Sequence, residues 1–318
     1  QIRGWWNSQF ILSEIVFDKK PFDSILFHGM VLDMGKKKMS KSVGNVVAPE
    51  ELIEKYGRDY LRYYFAKISK GEDFSYNEND FKEIHKSIMV LMNINNFVNQ
   101  LEKKDNLKIE DKWILSRFNN LKKNMTNAYN NYKFNEAISL FEKFLIFDLS
   151  RDYVQIVRER SNEINGVMQE IRLGLIKLIA PVMPFMVERI WKNLREQSLV
   201  IAESVHLSQL PSVNEELIDE KLEKEFELLS KVIEMGLFER DKAKIGLKWP
   251  LSKITVHMKE DGLNLEMLEV IGRQLNVKSV ETVNSEDTKV ELDLKMTPAL
   301  EAEGYSREFA RNIQALRK

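Results

Sequence analysis

The strongest constraint on the fold is a helical pattern of apolar residues that runs almost without interruption from about residue 77 to 242. The apolar side chains recur at intervals of three and four residues, as at Phe81, Ile84, Ile88 and Leu91. This spacing places them on one face of a helix. Successive amphipathic helices can bury such faces only against one another, so the pattern predicts a helical bundle.

After the bundle the pattern changes to that of short strands. Ile254–Met258, Val277–Val283 and Val290–Leu294 are rich in β-branched residues, and a helical stretch near 264–274 lies among them. Such an order predicts the start of a small α/β module. Residues 299–318 predict one more helix.

The stretch ahead of the bundle has a mixed character. Residues 4–17 show helical spacing, and residues 22–33 contain a β-type apolar run that Gly35 follows. The length of this run predicts a buried strand that leads into a polar loop. Pro49 then predicts the start of a helix, because proline fits the first helical position.

Charge and composition exclude several classes of protein. The 48 Lys and Arg residues balance 49 Asp and Glu residues, so any contact with nucleic acid must use local basic patches. The absence of cysteine excludes disulfide frameworks and thiolate zinc sites within the chain. Four scattered histidines give no metal-binding cluster, so we predict no bound metal. No apolar run reaches membrane-spanning length, and we expect a cytoplasmic protein without membrane contact.

The feature that carries chemistry is the pentad Lys38-Met39-Ser40-Lys41-Ser42, between the predicted strand and the helix that follows it. A run of lysines by itself usually marks a solvated surface. Here two lysines stand three residues apart with small hydroxyl groups nearby. This arrangement suits a polyphosphate, because each ammonium group is a compact charge with three donors. A mobile loop can bring such charges over leaving oxygen atoms.

The pentad is similar to the second signature of the class I aminoacyl-tRNA synthetases, and within this class the chain resembles the isoleucyl-tRNA synthetases. The opening Gln1–Ser8 resembles their Asp-Gln-x-Arg-Gly-Trp-Phe segment. Further resemblances cover nearly the whole chain: Asp59, Leu61 and Arg62 in a stem-contact helix, Trp113–Arg117, Ala180–Phe185, Glu188 and Trp191 in an anticodon-binding bundle, Glu203–Leu207 behind it, and Thr297–Pro298, Glu301–Gly304, Arg307–Glu308 and Ile313–Lys318 in a C-terminal region.

The resemblance implies an α/β part followed by mostly α structure, in four domains. Residues 1–47 would end a Rossmann-type catalytic domain, residues 48–108 would form the stem-contact helical region, residues 109–245 the anticodon-binding helical bundle, and residues 246–318 the start of a C-terminal α/β domain. The first signature of the class, His-x-Gly-His, and the editing domain do not occur in the sequence. We therefore expect a fragment that is truncated at both ends.

The implied activity is ATP-dependent ligation of L-isoleucine to tRNA-Ile through an isoleucyl-adenylate, with Mg²⁺ entering as part of the ATP substrate. The isoleucine carboxylate is already ionised, so catalysis is positioning plus stabilisation of charge on the phosphates. The resemblance assigns Lys41 to the pyrophosphate-side oxygens and Lys38 to a supporting role. The lack of a Cβ at Gly29 would let the nucleotide approach closely. The implied ATP-binding residues are His28, Gly29, Met30, Val31, Met39, Ser40 and Ser42.

The same resemblance implies that Trp5 lines the isoleucine side-chain pocket, with Gln1 nearby as an amide donor or acceptor. From periodicity alone, Trp5 is more typical of a core residue, and we assign that role to Trp6. Such a pocket discriminates against valine by only one methylene, about 1–3 kcal/mol.

Residues that read the anticodon are not identified by the sequence. Arg151, Arg158 and Arg160 could face an anticodon, but basic residues on a helix are more typical of solvated surface. Three apolar residues are predicted to fill the bundle core instead of stacking on bases: Phe185, Met186 and Trp191.

Two alternatives remain at this stage. A valyl-tRNA synthetase shares the loop and the bundle, but it typically lacks the Arg-Gly-Trp segment that Gly4 and Trp5 represent here. A non-catalytic tRNA-binding protein could keep the bundle, although an intact pentad would serve no purpose in it. The expected partners are tRNA-Ile, L-isoleucine and ATP, and the expected state is a monomer.

Overall fold

The computed structural model describes residues 2–102, 104, 106–259 and 262–316. Its helices are α1 (Asn7–Phe17), α2 (Pro49–Tyr56), α3 (Arg58–Ile68), α4 (Asp80–Val98), α5 (Ile109–Asn130), α6 (Phe134–Lys143), α7 (Val154–Ile156), α8 (Asn165–Ile179), α9 (Pro184–Glu196), α10 (Glu220–Lys242), α11 (Leu265–Leu275) and α12 (Pro298–Leu316). Its strands are β1 (Val31–Leu32), β2 (Phe74–Ser75), β3 (Leu251–Met258), β4 (Val277–Asn284) and β5 (Lys289–Leu292). None of the helices in these described ranges has the length and apolar character needed to cross a membrane.

The first part of the chain buries little of its apolar surface. The π-helical turn Ile2–Trp6 and helix α1 contain no buried residue. The predicted strand over residues 22–33 is wrong except for Val31–Leu32, which forms β1. A parallel strand needs partners at its edges and cover on its faces. Within the described ranges β1 pairs in parallel with the two residues of β2 and forms a single antiparallel bridge to Lys38, so the rest of the run stays irregular.

The helical bundle predicted from the three-and-four spacing is confirmed. Helices α4, α5, α6, α8, α9 and α10 all turn buried apolar residues toward a common core. Trp113 of α5 stacks on Phe226 of α10 with ring centroids 4.7 Å apart. Beyond α6 the chain continues as a π-helical segment, Phe144–Tyr153, whose wider turn keeps Leu145 and Leu149 buried.

The small α/β module is also confirmed. Its sheet has the order β4-β3-β5, in which β3 is parallel to β4 and antiparallel to β5. The parallel pair requires a crossover, and α11 provides it. Helix α11 buries Met267, Val270, Ile271 and Leu275, which form its apolar face.

A buried ionic network joins this module to the bundle. The Arg160 guanidinium donates to Glu110 at 2.9 Å and to Asp111 at 2.6 Å. Arg273 of α11 donates to the same Glu110 oxygen at 3.1 Å, and the Tyr153 hydroxyl donates to Asp111 at 2.6 Å. Two carboxylates thus balance two guanidinium groups, which is the condition for burying charge without a large penalty.

Candidate functional site

The pentad lies in a narrow loop that folds back beside β1. The backbone N–H of Asp33 donates to the Lys37 carbonyl at 2.9 Å, and the N–H of Lys36 donates to the Asp33 carbonyl at 3.0 Å. Lys36 has a φ of 58°, which the tight turn requires. An antiparallel bridge then joins Lys38 to Leu32. The turn therefore brings Lys38 directly alongside the strand that ends the 28–32 segment.

Asp33 and Asn45 connect the two ends of the loop. One Asp33 carboxylate oxygen accepts the Lys37 N–H at 2.8 Å, and the other accepts the Asn45 side-chain amide at 2.7 Å. The side-chain oxygen Oδ1 of Asn45 accepts the Ser40 N–H at 2.9 Å. These donors, the Asn45 amide first and the Lys37 N–H second, lower the pKa of Asp33 from its usual value. We refer to Asp33 and Asn45 as the loop latch.

The tip of the loop is a single tight turn. The N–H groups of Val43 and Gly44 both donate to the Ser40 carbonyl at 3.2 Å. Gly44 has a φ of 74°, a left-handed conformation that favours glycine. The hydroxyl groups of Ser40 and Ser42 lie 3.0 Å apart. The two serines therefore shape the turn on which Lys41 stands.

Both lysines of the pentad are exposed, Lys38 at the base of the loop and Lys41 at its tip. Lys38 and Lys41 form no ion pair with a carboxylate in the part of the chain that the structure describes. Met39 is half-buried between them. Two cations that lack protein partners on an ordered loop are free to meet an external anion.

The segment before the loop is brought together with it by backbone pairing. Gly29 is buried, and a Cβ there would lie 1.8 Å from the Glu72 carbonyl oxygen. The missing Cβ of Gly29 thus lets the Glu72 backbone pack closely against this residue. Met30 donates its N–H to Asp73 at 2.7 Å, and Val31 pairs with Phe74 in β1. His28 is exposed at the edge of this segment.

The predicted isoleucine pocket is not closed by the described residues. Trp5 is 63% exposed. Its neighbour Trp6 packs edge-on against Phe22, with ring centroids 5.5 Å apart. Trp6 is nevertheless only half-buried and does not belong to the hydrophobic core, so the core role predicted for it is wrong. The other predicted pocket residue, Gln1, lies outside the described residues.

Two expectations for the bundle surface are corrected by the structure. Arg160 is only 6% exposed because Glu110 and Asp111 hold its guanidinium, so it cannot face an anticodon. Phe185 is not a core residue: it is 60% exposed at the start of α9. Trp191 is buried as predicted, and its indole N–H donates to the Ala202 carbonyl at 2.9 Å.

Helix α3 is clamped to the turn before α9. Asp59 accepts the N–H groups of Phe185 at 3.3 Å and Met186 at 2.5 Å, so it caps α9 from another element. Arg62 donates to the carbonyls of Pro181 at 2.8 Å and Val182 at 3.1 Å. Burial raises the pKa of Asp59, although the two N–H groups and Arg62 oppose this shift.

Sequence reasoning missed the loop latch. Asp33 and Asn45 are twelve residues apart, and neither belongs to the pentad. The signal available in the sequence was an acid and an amide on either side of a glycine-containing loop, two residue types that often bond backbone groups in turns. No group of three or more potential metal ligands occurs within the described ranges.

Comparisons with known proteins agree with this geometry. Residues 1–77, which include the loop and both β1 and β2, match the family model for class I tRNA synthetases (I, L, M and V). Residues 111–255 match the model for the anticodon-binding domain of tRNA ligase. The crystal structure of the LeuRS-tRNA-LeuAMS ternary complex of Agrobacterium radiobacter K84 resembles the fold, with a TM-score of 0.52 and 19% identity over 67% of this chain and 27% of that one.

Curated relatives match the chain from end to end. The isoleucine–tRNA ligase of Methanosarcina barkeri is 34% identical over all of this chain and 33% of its own length. Those of Methanopyrus kandleri and Pyrococcus furiosus are 36% and 34% identical over 88% and 90% of this chain, and over 28% and 29% of their own lengths. The chain thus spans about a third of the length of these relatives. It belongs to the class I aminoacyl-tRNA synthetases, in the group for isoleucine, leucine, methionine and valine.

Proposed function

We propose that this chain carries the phosphate-contacting loop and the anticodon-binding bundle of an isoleucine–tRNA ligase. The observation that carries the proposal is the pair Lys38 and Lys41, exposed without described acidic partners on a loop that is tied to β1. The identity to isoleucine–tRNA ligases over the whole chain supports isoleucine as the amino acid. A chain used only for binding tRNA could place the same lysines on tRNA phosphates, so the test has to measure adenylate formation and not binding alone.

The proposed reaction has two steps. A carboxylate oxygen of isoleucine attacks the α-phosphorus of ATP, the bond to the β-phosphate oxygen breaks, and pyrophosphate leaves. A hydroxyl group of the 3′-terminal ribose of tRNA then attacks the carbonyl of the adenylate, the bond to the phosphate oxygen breaks, and AMP leaves while the hydroxyl proton passes to AMP or to solvent. Lys41 would stabilise the charge that grows on the leaving pyrophosphate, and Lys38 would support it from the loop base. Mg²⁺ would enter as part of the ATP substrate.

Further residues complete the proposed nucleotide site. His28, Met30 and Val31 would border the nucleotide, because they lie next to the loop at the strand edge. Met39 would lie between the two lysines, and Ser40 and Ser42 would shape the turn beneath the phosphates. Gly29 would border the nucleotide with them, and its missing Cβ also lets the Glu72 backbone pack closely. Trp5 and Gln1 would cover the isoleucine side chain.

The four-domain division is part of the same proposal. Residues 1–47 would end the catalytic domain, and residues 48–108 would link it to the bundle at 109–245. The contacts of Asp59 and Arg62 with the 181–186 turn support such a link, since they tie α3 to α9 directly. Residues 246–318 would begin a C-terminal domain.

The test replaces the matching third of the Methanosarcina barkeri ligase by this 318-residue chain and measures isoleucine-dependent exchange of pyrophosphate into ATP. Lys41→Ala should lower kcat for adenylate formation by about 10²–10³-fold, because it removes a contact made to growing charge. The KM for isoleucine should change little, since Trp5 and Gln1 lie on another segment. The matched control is Lys36→Ala, a loop lysine outside the pentad, which should lower the rate by less than about fivefold.

Two outcomes would contradict the proposal. Equal, small effects at Lys36 and Lys41 would show that the loop is only a charged surface turn. A folded chimera that binds tRNA but exchanges no pyrophosphate would favour the alternative of a non-catalytic tRNA-binding protein. A melting curve and a tRNA-binding measurement on each variant identify the chimeras that are folded.

A further inference from the structure

The two lysines of the pentad are held in different ways. The backbone of Lys38 is fixed by its bridge to Leu32 and by a 3.4 Å contact from the Asn45 amide to its carbonyl. The backbone of Lys41 is bonded only within the Ser40–Gly44 turn among the described residues, where its carbonyl accepts the Gly44 N–H at 3.3 Å. A hydrogen bond from the Ser40 N–H to the Asn45 side-chain oxygen connects this turn to the base of the loop.

The orientation of the Asn45 amide is set by Asp33. Asn45 can accept from Ser40 only if its oxygen points to the tip of the loop, and its NH₂ group then points to Asp33. The Asp33 carboxylate accepts that NH₂ group with one oxygen and the Lys37 N–H with the other. A chain of three hydrogen bonds, each between 2.7 and 2.9 Å, therefore runs from the loop base to the backbone that carries Lys41.

We propose that Asp33 and Asn45 are positioning residues that hold the Ser40 backbone, and through it the Lys41 ammonium group, where the phosphates of ATP bind. This inference rests on the proposed function of Lys41. Neither latch residue would touch the substrate. Their effect is geometric, and a misplacement of about 1 Å at a reacting group can lower a rate by about 10²-fold.

The latch makes a prediction that a merely stabilising contact does not. Asn45→Asp places two carboxylates at the 2.7 Å contact, where like charges repel, so this variant should open the latch fully. Adding Asp33→Asn reverses the donor and the acceptor and restores the contact. The amide introduced at position 33 could still accept from Lys37 through its oxygen, and the carboxylate introduced at position 45 could still accept from Ser40. Only the weaker contact to the Lys38 carbonyl would be lost.

The experiment has one part on the 318-residue chain and one on the chimera. On the chain, hydrogen exchange over residues 33–45 should be faster in Asn45→Asp than in the wild type, and the double variant should return it to the wild-type rate. On the chimera, Asn45→Asp should lower kcat for pyrophosphate exchange by about 10–10²-fold with an unchanged KM for isoleucine. The double variant should recover to within about fivefold of the wild type, since it loses only one weak contact.

The outcomes separate this inference from the proposed function. If Lys41→Ala impairs exchange but Asn45→Asp does not, the latch is overturned while the role of Lys41 stands. If Lys41→Ala has no effect, the proposed function itself fails. An equal loss of kcat in the single and the double variants, with both folded, would show that Asn45 acts on its own and not through Asp33.

Discussion

Asp152 shows how the environment of one side chain changes its chemistry. It lies half-buried in the π-helical segment Phe144–Tyr153, near two other acids, Asp148 and Glu234. Burial, followed by repulsion from these two carboxylates, raises the pKa of Asp152 to about 6, and Arg151 opposes the shift only weakly. Because its pKa is higher in the folded than in the unfolded chain, the folded chain binds more protons between about pH 4 and 6. Stability therefore falls as pH rises through this window.

Asp152→Asn should remove the loss of folding stability that Asp152 causes as the pH rises from about 4 to 6. We expect the free energy of unfolding to rise by about 1–2 kcal/mol above pH 6, a value reduced for the partial exposure of the group. Below about pH 4 the variant and the wild type should be equally stable, since Asp152 is protonated there in both states. Urea unfolding between these pH values measures the difference. Asp241→Asn, an exposed acid on α10, is the matched control, and the same pH slope in both variants would contradict the assignment.

At the scale of elements, the decisive contact is the clamp between α3 and α9. The first N–H groups of a helix have no partner within the helix, and in α9 the acceptor comes from Asp59, more than 120 residues earlier. The Pro181 and Val182 carbonyls, just ahead of α9, are satisfied by Arg62 in the same way. Helix α3 thus fixes both the position and the direction of α9.

Asp59→Ala should destabilise the chain by about 1–2 kcal/mol, as expected for the loss of a helix cap. Urea unfolding at neutral pH is the measurement. Glu54→Ala, which removes an exposed acid from α2, should change the free energy of unfolding by less than about 0.5 kcal/mol. A similar value for the two variants would mean that α9 does not depend on its cap.

The elements that the sequence predicts well are those whose pattern repeats. The bundle helices and the three strands of the module appear because apolar spacing is fixed by the geometry of each element. The strand predicted over residues 22–33 is reduced to Val31–Leu32 in the structure. Strand formation depends on neighbouring strands, and the apolar run itself does not encode them. Arg160 was misplaced for a similar reason: its two acidic partners are about fifty residues away in sequence.

The same distinction between local pattern and distant contacts applies to the candidate site. The pentad could be proposed as a site because its residues are consecutive in the sequence and match a signature that is readable without the fold. The Asp33–Asn45 contact was not found, because it depends on how the intervening backbone turns. The close packing of Gly29 against the Glu72 backbone was not foreseen either, because sequence alone does not say which backbone will occupy the space of a missing Cβ.

The molecule as a whole is nearly neutral, with a net charge of −1. A protein that binds tRNA with such a balance can neutralise only a few phosphates. Buried ion pairs reduce this number further, since Arg160 is occupied by Glu110 and Asp111. The exposed Arg151 and Arg158 remain available on the bundle surface.

We therefore expect the chain to bind tRNA weakly and with a shallow salt dependence. The logarithm of affinity should fall with a slope of no more than about −3 per decade of salt, as for roughly three or four phosphate contacts. Fluorescence anisotropy with labelled tRNA-Ile and an unrelated tRNA, across a salt series, measures both slope and preference. Arg158→Ala should make the slope shallower. Equal affinity for the two tRNAs at every salt concentration would argue against an anticodon-reading bundle.

The network around Glu110 limits how this chain can change over evolutionary time. Glu110 is 1% exposed and serves two guanidinium groups, one from the bundle and one from α11. Loss of one partner leaves buried charge uncompensated, which is more harmful than replacement of the whole group. We therefore expect single substitutions at Glu110 or Arg160 to cost more stability than their joint replacement by apolar residues. Recombination with a distant relative at the junction of the bundle and the module would separate Glu110 from Arg273, and we expect such a hybrid to lose this contact between the two parts.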